Sequence, residues 1–233
     1  AVSLPFIFPN REAAYRVIDG PVGDAIEAKL QAKGFTSLGW MELGMRHITN
    51  SRGPIKSAAD LKGLKLRLQP NETHLATFRA LGANPLAMDI KEVYSAMEQK
   101  VIDGHENPYA LILTSRFNEV QKHLSNTAHF FDFIAVVANK KKFDGLSAEH
   151  KKIVQTAMSN AIKAQRTMAT KADAESLAEL QKKGMQYDAM PPAERGATRK
   201  AAGIAAEDSK KRAGADLVDR AHTEGKEAEG SGA

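Results

Sequence analysis

Between Ser147 and Gly184 the sequence contains no proline, no glycine and no other helix breaker. Ser147 is a good N-cap, and Gly184 stands where a helix commonly terminates. At 1.5 Å per residue, a helix over this stretch is about 55 Å long, more than one small domain can cover. Such a helix is either a coiled-coil arm or a brace across two lobes. Its apolar positions, Ile153, Val154, Ala157, Met158, Ala161 and Ile162, fit a packed face and form no clean heptad. The brace is therefore the expectation.

Around it, short apolar strands alternate with amphipathic helices, the pattern of an α/β protein. Helices are expected over 11–18 and 24–33, then strand over 35–40 and 45–48 with an interruption at Gly44. Ser57 to Leu61 reads as a capped turn. Asn71 caps a helix to Leu81, and Asp89 one from Ile90 to about Lys100. Strands follow at 101–104 and 130–139, with a short helix over 109–116 between them. Beyond the long helix come a short strand at 185–187 and a helix from about Pro192. The last residues, Gly225 to Ala233, are small and polar and read as a disordered tail.

Of 233 residues, 33 are Lys or Arg and 28 are Asp or Glu, a net charge of +5. The surplus sits in runs such as Lys140-Lys141-Lys142 without interleaved aromatics, so nucleic acid is not an expected partner. No apolar run is long enough to span a bilayer. With no cysteine, disulfides and thiolate chemistry are excluded. The first residues, from Ala1 to Phe6, have neither a basic n-region nor a long h-region, and a signal peptide is not expected. No metal-binding His-Glu-x-x-His, phosphate loop or nucleophile elbow is present, and neither a metal nor a cofactor is expected. His105-Glu106 beside Asp103 is the one acid/base grouping, and it lacks a nucleophile. An enzyme is therefore not the expected reading.

Three polar residues stand out. Leu64-Lys65-Leu66-Arg67-Leu68-Gln69 alternates strictly, placing Arg67 on the polar face near the strand's carboxyl end. Ligands of open α/β sheets settle outside those ends, and a guanidinium matches a carboxylate bidentately. The competing reading of Arg67 is a surface arginine. Asn107 follows a short strand and precedes Pro108, which holds its backbone extended. The alternative is a turn asparagine capping the helix at Tyr109. Arg46 lies next to Gly44 in a strand-like stretch, and its alternative role is an interlobe ion pair.

The runs Arg46-His47-Ile48-Thr49-Asn50-Ser51, Pro54-Ile55-Lys56, Asp60 to Arg67, Leu81 to Pro85, Glu92 to Met97 and Val101 to Pro108 occur in one order. They resemble the solute-binding subunits of tripartite ATP-independent periplasmic (TRAP) transporters, of the dicarboxylate-binding type, from near Leu4 to about Val218. The resemblance implies two α/β lobes joined by crossing strands and braced by a long helix, with hinge closure on the ligand. It implies residues 1–43 as the remainder of the amino-terminal lobe and 44–131 as the lobe carrying the clamp. Residues 132–171 would return to the first lobe and 172–224 complete the long helix and terminal helices, before the tail at 225–233. By this similarity Arg67 forms the main salt bridge to a ligand carboxylate, Asn107 orients it, and Arg46 supports it. Ile90 falls where many relatives place an aromatic pocket wall, and Phe130 or Phe131 is the candidate for the opposite wall, with buried core as the competing role. Relatives begin with further strands and a helix before anything matching Leu4-Pro5, so the first strands of the amino-terminal lobe are expected to be absent. The implied function is periplasmic capture of a small organic acid by a monomer for the membrane subunits of an ion-gradient-driven transporter. A lobe reporting a carboxylate to a receptor or kinase is the alternative.

Overall fold

The computed structural model describes residues 2–230. Helix α1 (Arg11–Ile18) is capped by the Asn10 side chain, and α2 (Pro21–Ala32) begins on its own proline. Pro21 opens the second helix three residues earlier than expected, because a proline at the first helical position sacrifices no hydrogen bond.

Strand β1 (Phe35–Asn50) runs unbroken for 16 residues, passing Gly44 in a bulge. After a Ser57/Asp60 capping box comes β2 (Lys65–Leu68), then α3 (Glu72–Ala80), β3 (Asn84–Ala87) and α4 (Ile90–Glu98). The strand expected at 101–104 lies three residues later, as β4 (Gly104–Asn107). A Cβ at Gly104 would stand 2.0 Å from the Thr49 carbonyl oxygen, so only glycine lets β4 approach β1 at its first residue.

Helix α5 (Tyr109–Thr114) leads to β5 (His123–Asn139), which starts seven residues before its apolar stretch. A short helix, α6 (Lys140–Asp144), precedes α7 (Ala148–Lys182), the brace expected from the sequence. Strand β6 (Gln186–Ala189) and the helices α8 (Pro192–Ala201), α9 (Ile204–Ala213) and α10 (Ala215–Gly230) complete the chain. Helix α10 covers the first six residues of the expected tail; residues 231–233 lie outside those described.

The six strands form one sheet in the order β3-β2-β4-β1-β5-β6. Only β1 runs against its neighbours; β2 is parallel to β3 and β4, and β5 to β6. The carboxyl ends of β2, β3, β4 and β6 therefore share one edge. Long β1 and β5 pair from Phe35↔Asn139 to Asn50↔His123, beyond the reach of the shorter strands. One apolar cluster, including Leu66, Leu68, Phe78 and Phe130, packs α3 against the sheet. A second contains Val93, Ile112, Phe117 and Leu180 from α4, α5 and α7. A third joins α1, α2 and α10 to Phe131 and Phe133 on the extended part of β5. The result is a mixed α/β fold with crossing strands and a bracing helix.

The brace is seated by specific contacts. Gly39 (φ 126) meets Ile162, whose Cδ1 would lie 2.2 Å from any added Cβ. The Gln165 side-chain amide pairs with both the N–H and the C=O of Glu42, at 2.9 and 2.8 Å, as a neighbouring strand would. Arg166 donates to the Trp40 carbonyl at 2.8 Å, pairs with Asp19 and lies over the Tyr15 ring. Glu42 is buried and also accepts from Tyr15 and Arg11. Val154, Met158 and Ile162 form the half-buried stripe, whereas Ile153, Ala157 and Ala161 turn outward.

Candidate functional site

Both faces of β2 are covered beyond Lys65, so Arg67 is not a surface arginine: it is 3% exposed. Its Nε and Nη2 donate to the Met88 carbonyl at 2.8 and 2.6 Å. Among the described residues no carboxylate comes within 4 Å of it. Burial lowers its pKa, and attraction from Glu106 offsets that only in part. Arg67 is thus a buried cation whose fork is oriented by a carbonyl and, among the described residues, meets no carboxylate in direct contact.

Its neighbour in register is His105 on β4, and Asn107 lies two residues further along the same face. Asn107 does not cap α5, where Pro108 is the N-cap without a side-chain bond. Instead its Oδ1 accepts from Arg46 Nη2 at 2.9 Å, and its Nδ2 lies 3.0 Å from His105 Nδ1. With Oδ1 so committed, Nδ2 donates, which places the His105 proton on Nε2. That Nε2 is buried without a partner.

Arg46 is 1% exposed and makes a fork-to-fork pair with Glu106, Nε to Oε2 at 2.6 Å and Nη2 to Oε1 at 2.8 Å. Its Nη1 reaches Asp132 on β5 at 3.2 Å. Burial pulls the Arg46 pKa down, but Glu106 and then Asp132 outweigh it and the value rises. Conversely, burial would raise the Glu106 pKa, and Arg46 followed by His129 hold it far below the usual carboxylate range. His129 Nε2 lies 3.0 Å from Glu106 Oε2, and its Nδ1 lies 2.7 Å from the Thr127 hydroxyl. Gln69 donates to Asp132 at 3.1 Å and approaches His74 Nδ1. Arg46 therefore makes an ion pair inside the cluster with Glu106, and the same guanidinium holds Asn107.

The other expected site residues lie nearby in different settings. Ile90, 38% exposed, opens α4 two residues after the carbonyl that holds Arg67. Phe130 is core: its ring is buried and stacked on His74 at 3.9 Å. Phe131 faces the opposite way, edge-on to Phe8 and Tyr15. The acid/base grouping does not assemble, since Glu106 is bound to Arg46 while Asp103 accepts the Lys65 N–H. Sequence reasoning missed His129, Asp132, Gln69 and His74. The only local signal was Asp132 itself, a lone carboxylate within Phe130-Phe131-Asp132-Phe133.

The family of bacterial extracellular solute-binding proteins, family 7 (DctP), matches residues 1–211. The chain belongs to this family. Among its relatives, the 2,3-diketo-L-gulonate-binding periplasmic protein of Escherichia coli K12 is 45% identical over 148 residues, 64% of this chain and 45% of that protein. The sugar acid binding protein of Advenella mimigardefordensis, solved with galactonate, is 35% identical. Its match covers 97% of this chain and 73% of that one, with a TM-score of 0.91. A TRAP periplasmic solute-binding protein of Sulfitobacter, solved with β-D-galacturonate, is 30% identical over 95% of this chain and 74% of that one, with a TM-score of 0.90. The chain spans about half the length of curated relatives, 45% and 55% of two of them.

In this family 7 chain the cluster holds four buried histidines, His47, His74, His105 and His129, each against an aromatic ring. Burial lowers the pKa of all four, that of His105 to about 3. A folded pKa below the unfolded value of about 6.5 means that the unfolded chain binds more protons under that pH. Stability is therefore full above about pH 6.5 and declines on acidification, by up to about 1.4 kcal/mol per pH unit for each histidine. Urea unfolding at pH 7.5, 6 and 5 is expected to show this fall. An unchanged midpoint would mean that the rings carry charge in the folded state.

Proposed function

We propose that this chain forms the ligand-capturing part of a periplasmic solute-binding protein. It takes a small organic carboxylate and delivers it, as a monomer and without catalysis, to the membrane subunits of a TRAP transporter. The observation that carries this reading is the Arg67 guanidinium, buried near the carboxyl end of β2 with the Met88 carbonyl as its hydrogen-bond partner among the described residues. An uncompensated buried charge is costly, and a carboxylate supplies both the missing charge and two matched acceptors. Asn107, held by Arg46, contributes its amide on the same face of β4. The apolar Ile90 at the rim suits the body of the ligand. Galactonate, galacturonate and succinate, held by related structures, share the carboxylate that such a clamp would take. Family membership supports transport over sensing.

Titration with galactonate tests the reading. At about 100 times its dissociation constant, a ligand confined to the folded state adds about 2.7 kcal/mol. For a chain of this size that corresponds to a rise in melting temperature of roughly 5–11 °C. Galactonamide, which lacks the charge, is expected to give no shift. A cooperative melt unmoved by galactonate, galacturonate, erythronate and succinate alike would overturn the proposal.

A further inference from the structure

We propose that His105 is a positioning residue for ligand capture: its Nδ1 lone pair locks the Asn107 amide, leaving the second hydrogen of Nδ2 to donate to a carboxylate held by Arg67. This rests on Arg67 and Asn107 forming the clamp proposed above. An asparagine side chain keeps its shape when the amide flips, but donor and acceptor change places. Here the two ends face different partners: Oδ1 lies 2.9 Å from Arg46 Nη2, and Nδ2 lies 3.0 Å from His105 Nδ1. Arg46 alone holds the oxygen loosely. Its Nη2 carries two hydrogens and faces three acceptors, Asn107 Oδ1 at 2.9 Å and the Oε1 and main-chain oxygen of Glu106, both at 2.8 Å. The Asn107 oxygen is the most distant of the three and lacks the charge that strengthens the bond to Oε1. His105 supplies the second constraint. In the flipped amide Oδ1 would meet the Nδ1 lone pair and Nδ2 a guanidinium N–H, so both ends would repel.

The setting of the ring is a second, independent observation. His105 is buried at mid-sheet, because β4 has β1 on one side and β2 on the other. Its ring stands edge-on to Phe117, with centroids 4.4 Å apart. Burial lowers its pKa to about 3, so the ring is neutral and Nδ1 remains an acceptor. The same burial leaves Nε2 without a hydrogen-bond partner, a cost to folding that an apolar side chain would avoid. Phe117 belongs to an apolar cluster with Val93, Met97, Ile112 and Leu124. An imidazole here therefore works against stability, and what it provides is a lone pair two residues from Asn107.

Calorimetric titration with galactonate compares the parent, His105→Leu, Asn107→Ala and the double variant, with urea unfolding alongside. If the parent binds succinate in preference, succinate is titrated in its place. His105→Leu is expected to weaken binding about five- to tenfold, the worth of one positioned hydrogen bond, without lowering the unfolding midpoint. With Asn107→Ala already present, it is expected to change affinity by less than about twofold, because it acts through that amide. His105→Asn, whose Oδ1 can stand where Nδ1 stands, is expected to recover most of the lost affinity. Nitrogen NMR of the unliganded parent depends on no variant folding: His105 is expected to be protonated at Nε2 and bare at Nδ1. A protonated Nδ1 overturns the proposal. So does binding that His105→Leu leaves within about twofold of the parent, and so does an equal loss with and without Asn107. Failure of the clamp itself is a different result: the parent then binds none of galactonate, galacturonate, erythronate and succinate, and the role of His105 falls with it.

Discussion

Arg67→Ala is expected to weaken carboxylate binding between about 30-fold and several-thousandfold while leaving the stability of the unliganded chain within about 1 kcal/mol of the parent. Removing a buried charge is ordinarily destabilising because its partner is stranded. Arg67 has no such partner among the described residues; its two bonds go to the carbonyl of Met88, which water can reach once the guanidinium is gone. The charge is a cost that the folded chain bears without ligand, so its removal separates binding from folding. Arg67→Lys is the sharper variant. It retains the charge and cannot reproduce two parallel bonds, so a loss of at least about tenfold is expected. Calorimetric titration of both variants with galactonate, alongside urea unfolding, checks the pair of expectations. A dissociation constant within about threefold of the parent for Arg67→Lys would reduce the clamp to a point charge. The same result for Arg67→Ala would remove Arg67 from the site.

How far these features were readable in the sequence depends on what buries each segment. The long helix was legible because its ends are set by local chemistry, the Ser147 cap and the stop at Gly184. Strand β2 was legible because Leu64, Leu66 and Leu68 follow period two, and its arginine stood out against them. Strand β4 was displaced because its four residues, Gly104, His105, Glu106 and Asn107, are all buried without any being apolar. The opening of β5, from His123 to His129, was lost because Leu124 is its one large apolar residue, while Ser125, Thr127 and His129 are buried through hydrogen bonds. Hydrophobic periodicity reports burial only where apolar contact causes it. At the centre of this sheet, charge and hydrogen bonding between strands distant in sequence are the cause. Arg46 was visible as a candidate, but its partners, 60 and 86 residues away, were not. Asn107 stood out by its place between a short strand and Pro108, and the family resemblance gave it an orienting role; the pairing that holds it came from the structure.

Glu106→Ala is expected to destabilise the chain by about 3–5 kcal/mol, the usual consequence of stranding a buried charge. Arg46 would keep Asp132, at 3.2 Å, as its carboxylate partner, besides the Asn107 amide oxygen and the main-chain carbonyl at position 106, and His129 would lose the Glu106 oxygen. Stability and ligand orientation can then be separated by also removing the arginine. The double variant Arg46→Met, Glu106→Leu fills the space with apolar side chains and leaves no stranded guanidinium. It is expected to be more stable than Glu106→Ala, with a coupling between the two positions of about 0.5–3 kcal/mol. Carboxylate binding should nevertheless stay weak, because Asn107 would no longer have Arg46 to fix its amide. Unfolding and galactonate titration of the parent, both single variants and the double variant measure the two quantities side by side. If the double variant regained stability and bound ligand as tightly as the parent, the cluster would serve folding alone. Regained stability with lost binding would instead mean that the Arg46–Glu106 pair is retained because it holds one amide in place beside Arg67.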